Sequence, residues 1–107
     1  MDAHTARIAY GFEHAEIVIC DGIPCGLLKV SKSPEIWEVV QIQLDRKVQG
    51  KGVGRALLEE IIAGAELAGV EIKLSVLKSN PAKRLYERLG FETIGEDAHE
   101  YLMKRLP

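Results

Sequence analysis

Seven consecutive residues, Gln49-Gly50-Lys51-Gly52-Val53-Gly54-Arg55, carry the strongest chemical signal in the chain. Three glycines at alternate positions remove every Cβ from one side of a loop that opens a helix. The first amides of a helix lack intrahelical partners, and the aligned peptide dipoles add about half a positive charge there. Such a nest suits a phosphate or pyrophosphate, and the absent Cβ atoms let the anion come close to the backbone. Arg46, Lys47, Lys51 and Arg55 add positive field around it, opposed by Asp45. Two nucleotide motifs fail on the letters. A P-loop needs Gly-Lys followed by Ser or Thr, and here Gly52 follows Lys51. A dinucleotide fingerprint reads Gly-x-Gly-x-x-Gly, whereas Gly50, Gly52 and Gly54 are evenly spaced.

The elements that must hold this loop follow from hydrophobic period. Glu16–Cys20, Cys25–Val30 and Glu35–Leu44 are β-branched runs separated by an Asp-Gly turn and by Ser33-Pro34, which predicts three strands. Arg7–Tyr10 is a candidate for a further strand. From Val53, apolar residues at Leu57, Leu58, Ile61, Ile62, Ala65 and Ala68 form a helical stripe, which Gly69 closes. Val70, Ile72, Leu74 and Val76 then alternate with polar residues as a half-buried strand does. Ser79 or Asn80 caps a second helix with Pro81 in its first turn and Gly90 at its end; Phe91–Ile94 and His99–Leu106 are the last strands. The order predicts an α/β fold with a mixed sheet and two helices.

Composition narrows the class. A chain of 107 residues, 47% hydrophobic and 28% charged, has one core's worth of apolar surface, so residues 1–107 are expected to form a single domain. Fourteen Lys and Arg against 16 Asp and Glu leave a net charge of −2, which argues against a nucleic-acid partner. No apolar run approaches the ~20 residues of a membrane span, and the first five residues lack the pattern of a signal peptide. The expected setting is cytoplasmic, with no membrane partner. Cys20 and Cys25 flank a turn and face one another across a hairpin; in a reducing compartment they are expected as two free thiols. His4, His14 and His99 are scattered, and no metal is expected.

Gln49, Gly52 and Gly54 match the Gln/Arg-x-x-Gly-x-Gly/Ala block of the GNAT superfamily of acyl-CoA N-acyltransferases. Asn80-Pro81-Ala82-Lys83-Arg84-Leu85-Tyr86-Glu87-Arg88-Leu89-Gly90-Phe91 resembles a second block of that family, Asn-x-x-Ala/Ser-x-x-x-Tyr-x-x-x-Gly-Phe, with Ala one place early. The resemblance runs from about Ala15 to Leu106. It implies a mostly antiparallel sheet in which a central parallel pair splays to admit the cofactor. Family members open with a strand and two helices that shape the acceptor site, and about 14 residues stand in that place here.

The resemblance further implies that acetyl-CoA, the acyl donor, lays its pyrophosphate on the backbone of Gln49, Gly50, Lys51, Gly52, Val53, Gly54 and Arg55. It places main-chain groups of Ile42, Gln43 and Leu44, and the side chain of Asn80, along the pantetheine arm. Tyr86 is then the acid that protonates the departing CoA thiolate: a phenol of pKa ~10 keeps its proton at neutral pH, and a thiolate of pKa ~8.5 accepts one. Glu38 stands 11 residues before Gln49, the offset of the catalytic glutamate in the histone-acetyltransferase branch. By alternation it shares a face with Ile36, Val40, Ile42 and Leu44, where an apolar setting would raise its pKa toward that of a general base. Trp37 and Gln41 fall on the opposite face. The function these residues imply is direct acetyl transfer from acetyl-CoA to a primary amine. The rival reading is a non-catalytic acyl-CoA-binding module that regulates a partner. A third has the chain pair with itself, as a homodimer, or with another subunit to complete the acceptor site.

Overall fold

The computed structural model describes residues 15–107, together with the backbone of residues 5–9. Tyr10, His4 and His14 lie outside the described residues. Seven strands form one sheet: β1 (Thr5–Ala9), β2 (Ala15–Cys20), β3 (Ile23–Lys32), β4 (Ile36–Leu44), β5 (Glu71–Leu77), β6 (Glu92–Glu96) and β7 (Glu100–Arg105). Their spatial order is β1-β2-β3-β4-β5-β7-β6. Every neighbouring pair is antiparallel except the central β4–β5 pair, which is parallel and joined through α1 (Val53–Ala68). The second helix, α2 (Lys83–Arg88), connects β5 to β6. It begins later than the cap at Ser79 or Asn80 predicts, because Asn80 makes a local turn and Ala82 holds the N-cap position.

Both helices cover the same face of the sheet. The α1 stripe of Val53, Leu57, Leu58, Ile61, Ile62 and Ala65 is buried with Val18, Leu28, Val30, Val39, Ile72, Leu74, Val76 and Met103 from the strands. Each fully buried Leu or Ile among them contributes about 1.5–3 kcal/mol. Arg105, on the same face as Met103, ties the helices together: its Nε donates to the Leu89 carbonyl at 2.7 Å, and its Nη2 lies 3.5 Å from Glu66 of α1. Gly69 takes the left-handed conformation (φ 70°), and its amide closes α1 on the Ala65 and Glu66 carbonyls. On the other face, Ser75 in the middle of β5 is exposed, and no helix among the described residues covers it.

Three expectations give way to the structure. Cys20 and Cys25 form a disulfide rather than two free thiols, because the Asp21-Gly22 turn, with positive φ at both residues, brings their Cα atoms to 5.9 Å. Trp37 does not share a face with Gln41. It lies on the helix-covered face, where Lys32 sits 4.5 Å over its ring and the ring packs on Gly64 of α1. Glu38 does not share a face with Ile42 and Leu44. Val30 pairs with Val39 and Lys29 with Gln41, so Val40 is an extra residue in β4. That bulge reverses the alternation. Ile42 and Leu44 therefore join Trp37 and Val39 against the helices, and Glu38 joins Gln41 and Gln43 on the open face.

Close approach of β3 to β4 beyond the bulge requires a glycine. A Cβ on Gly26 would run into the Gln43 carbonyl oxygen, a backbone atom that cannot swing away. Gly26→Ala is expected to cost about 1–3 kcal/mol despite its entropic advantage in the unfolded chain. The urea midpoint measures it, and an unchanged midpoint would mean the two strands are not held at this separation.

Candidate active site

The bulge at Val40 also opens the sheet. Parallel pairing runs from Ile36↔Glu71 to Val39↔Leu74 and stops there. Beyond that point the β5-facing backbone edge of residues 40–44 has no strand partner, which leaves its polar groups, the Leu44 carbonyl excepted, available to a ligand. The gap is a cavity of about 280 Å³ lined from both faces. Ile42, Val76 and Tyr86 border it on the helix side; Gln41, Gln43, Ser75 and Glu100 border it on the open side. Ile42 and Gln43, expected along the pantetheine arm, both border this gap. Leu44 instead borders a wider groove of about 630 Å³ that runs from the strand end toward Gln49.

The glycine loop follows directly. A single 3₁₀ turn, Arg46–Val48, leads into Gly50 and Gly52, which both take left-handed conformations (φ 80° and 82°). Gly54 is already helical, so its share in the motif is size rather than backbone freedom. The amides of Gly52, Val53, Gly54 and Arg55 donate to no described residue, and the next amide, Ala56, returns to the Gly52 carbonyl at 3.0 Å. Four unpartnered amides thus stand at the start of a 16-residue helix, an arrangement that favours negative charge. The Gln49 side chain instead fixes the loop in place, because its Nε2 donates to the Leu44 carbonyl at 3.0 Å and pins the loop to the end of β4. The loop is held from behind as well, by the Asp45 amide donating to the Cys25 carbonyl at 2.8 Å. Arg55 is engaged with Glu59 at 3.3 Å, whereas Lys51 is exposed.

Two further candidate residues come from the segment after β5. The Asn80 side-chain oxygen accepts from the Ala82 amide at 2.9 Å, and the residue borders the gap. Tyr86 is 6% exposed and meets Phe91 edge to face, with ring centroids 5.9 Å apart. Its hydroxyl hydrogen-bonds to no described residue. Burial pushes the phenol pKa above its ordinary value, so the hydroxyl keeps its proton through the neutral range.

Glu38 is exposed, pairs across the sheet with Ser31 and Lys73, and sits one step before the splay rather than inside it. Sequence reasoning missed Glu100. It opposes Leu77 at the end of β5 and borders the gap itself. The signal in the letters is only its place in the alternation of β7, since the register of β7 on β5 brings it there. His99 is exposed in the β6–β7 turn, and no group of three or more His, Cys, Asp or Glu among the described residues is placed to hold a metal.

Residues 2–103 match the family model of the acetyltransferase (GNAT) domain. The fold is similar to that of the ribosomal-protein-S18-alanine N-acetyltransferase from Escherichia coli (TM-score 0.77, 25% identity, 91% of this chain and 71% of that one). It is also similar to the PaiA N-acetyltransferase from Thermoplasma acidophilum in complex with coenzyme A (TM-score 0.76, 20% identity). That match covers 87% of this chain and 60% of the other, so this chain spans three fifths of that protein's length. A third likeness is to an Arabidopsis thaliana protein bound to the bisubstrate analogue CoA-Ac-MVNAL (TM-score 0.74, 18% identity, 87% of this chain and 72% of that one). No curated protein gives a significant match.

Proposed function

The chain belongs to the GNAT acetyltransferase family, and on that footing we propose that it moves an acetyl group from acetyl-CoA to a primary amine within one ternary complex. The observation that carries this reading is the conjunction of a splayed β4–β5 pair, four amides at the start of α1 with no partner among the described residues, and a buried Tyr86 bordering the gap whose hydroxyl no described residue holds. The residues fit the donor: the amides of Gly52 to Arg55 suit its diphosphate, and the unpaired edge of residues 40–44 suits its amide-bearing arm. Acetyl-CoA supplies an activated thioester carbonyl.

The residues of the chain then divide the work. The open backbone edge after Val40 orients the donor and offers amide hydrogens to a carbonyl oxygen that gains charge as the amine attacks. Glu38 receives the ammonium proton through water on the open face, which frees the nitrogen lone pair to form the C–N bond. As the C–S bond breaks, Tyr86 gives its proton to the sulfur. A lysine-type amine of pKa ~10.4 is neutral only about one part in ~2,500 at neutral pH, so a base matters for it; an α-amine near ~7.8 needs little help. The cytoplasm is the setting we propose, with no nucleic-acid or membrane partner, and residues 1–107 as one acyl-CoA-binding domain.

Acetyl-CoA and CoA are both expected to raise the Tm, because the loop reads the diphosphate rather than the acyl group. Mass action gives about 2.7 kcal/mol of stabilisation at a hundredfold excess over Kd. Thiol release from acetyl-CoA across a panel of amines tests the chemistry. A thermal shift with no thiol release from any amine would leave the binding-module reading standing; no shift with millimolar CoA would remove both.

A further inference from the structure

Two carboxylates, Asp97 and Glu100, stand where the β4–β5 gap meets the β6–β7 hairpin. They line a cleft of about 270 Å³ that shares Ser75 and Glu100 with the gap. Glu96 pairs with Tyr101 on the helix-covered side instead, 3.5 Å from Lys78. Asp97 accepts from the amides of His99 and Glu100 at 2.8 Å each, and those bonds hold its carboxyl below the usual range. Glu100 is different: its carboxylate makes no ion pair or hydrogen bond to any described residue. The lysines of this end of the chain and of β7 are engaged with other groups. Lys78 goes to Glu96 and lies 5.2 Å from the Tyr101 ring. Lys83 lies 3.5 Å from Glu87 and 4.4 Å over the same ring, and Lys104 lies 3.5 Å from Glu71. An unneutralised, half-buried carboxylate therefore stands at the open-face mouth of the gap.

A second observation points to a ligand in the same cavity. Tyr86 is more than nine-tenths buried, borders that gap from the helix side, and its hydroxyl has no partner among the described residues. A donor laid along the gap would meet Tyr86 on one side of the sheet and an acceptor arriving past Glu100 on the other. Glu38, by contrast, borders neither cavity. We infer that Glu100 recognises the ammonium group of the acceptor and selects amines of net positive charge, such as diamines and lysine side chains, over zwitterionic amines. The inference rests on the transferase reading for its chemistry. The physical reason for the selectivity is that Asp97, though hydrogen-bonded, adds to the negative charge beside Glu100, so an acceptor that carries its own carboxylate meets repulsion where a second ammonium meets attraction.

A calorimetric titration of putrescine, butylamine and γ-aminobutyrate into the full chain, with and without saturating CoA, tests the assignment. The expected order of affinity is putrescine, then butylamine, then γ-aminobutyrate. Glu100→Gln should weaken putrescine about tenfold to a hundredfold and narrow the series, while CoA affinity stays as it was. In turnover the same variant should raise the amine KM with kcat changed by less than about threefold. Glu92→Gln, an exposed change of equal charge on β6, should leave the series unaltered. Equal affinity for the three amines, or an unchanged putrescine affinity in Glu100→Gln, would overturn the role of Glu100. Failure of CoA to bind counts against the transferase reading instead, and the series without CoA still decides the residue.

Discussion

Tyr86→Phe is expected to lower kcat by about 10²–10⁴ with little change in CoA affinity. The substitution keeps the ring, and with it the edge-to-face contact with Phe91 and the burial against the core. It deletes only a hydroxyl that no described residue holds, so it leaves no buried group unpaired. The rate loss corresponds to about 2.7–5.4 kcal/mol of transition-state stabilisation, the value of a proton placed on a leaving thiolate rather than drawn from water. The sign of the pH dependence follows from burial. Because the folded phenol pKa is raised, the acid form persists at least to the ordinary tyrosine range near pH ~10, and the parent enzyme shows no alkaline limb from this residue below that. The deficit of Tyr86→Phe should shrink as pH falls and solvent supplies the proton. Glu38→Gln should do the reverse, its deficit easing as pH rises and the amine deprotonates unaided. Steady-state rates between mildly acidic and mildly alkaline pH separate the two. Wild-type turnover by Tyr86→Phe would make Tyr86 a packing residue and leave the thiolate to solvent.

Gly52→Val is expected to abolish measurable CoA binding, a loss of at least about a hundredfold, while the sheet and α1 stay folded. Gly52 sits at φ 82° and ψ 4°, and its amide is the first of the four unpartnered ones. A β-branched residue in that region costs about 1–3 kcal/mol, so the loop relaxes to another conformation and the amides no longer converge. Nothing in the protein lies within 4 Å of where the Cβ would stand, so the penalty is one of backbone conformation, and any remaining space is taken from the anion. Lys51→Ala should cost only a fewfold, since an exposed charge is screened by solvent. Circular dichroism and the apo Tm establish that the fold survives, and calorimetry reads the affinity. Should Gly52→Val bind CoA as the parent does, the phosphate site is elsewhere.

Most of the architecture was legible in the letters because its signals are local. The α1 stripe, the Gly69 stop and the alternation of β5 each depend on neighbours within a few residues, and each appears where its period puts it. The anion loop was legible for the same reason, since glycine spacing before an apolar stripe specifies unpartnered amides without reference to the rest of the chain. Tyr86 was legible only through its resemblance to a family motif, because Leu85-Tyr86 reads equally well as core. What the tertiary structure alone decided are features in which one strand is measured against another. The bulge at Val40 is invisible in β4 itself, since Glu38-Val39-Val40-Gln41 alternates as well with it as without; only the pairing of Val39 with Val30 and of Gln41 with Lys29 reveals it. That one extra residue moved Glu38 to the open face, ended the β4–β5 ladder and opened the gap. The Cys20–Cys25 bond depended on a distance set by a left-handed turn. Glu100 depended on the register of β7 against β5. Local sequence specifies which way a segment folds, but contacts between residues far apart in the chain set register, and register decides which side chains meet at a site.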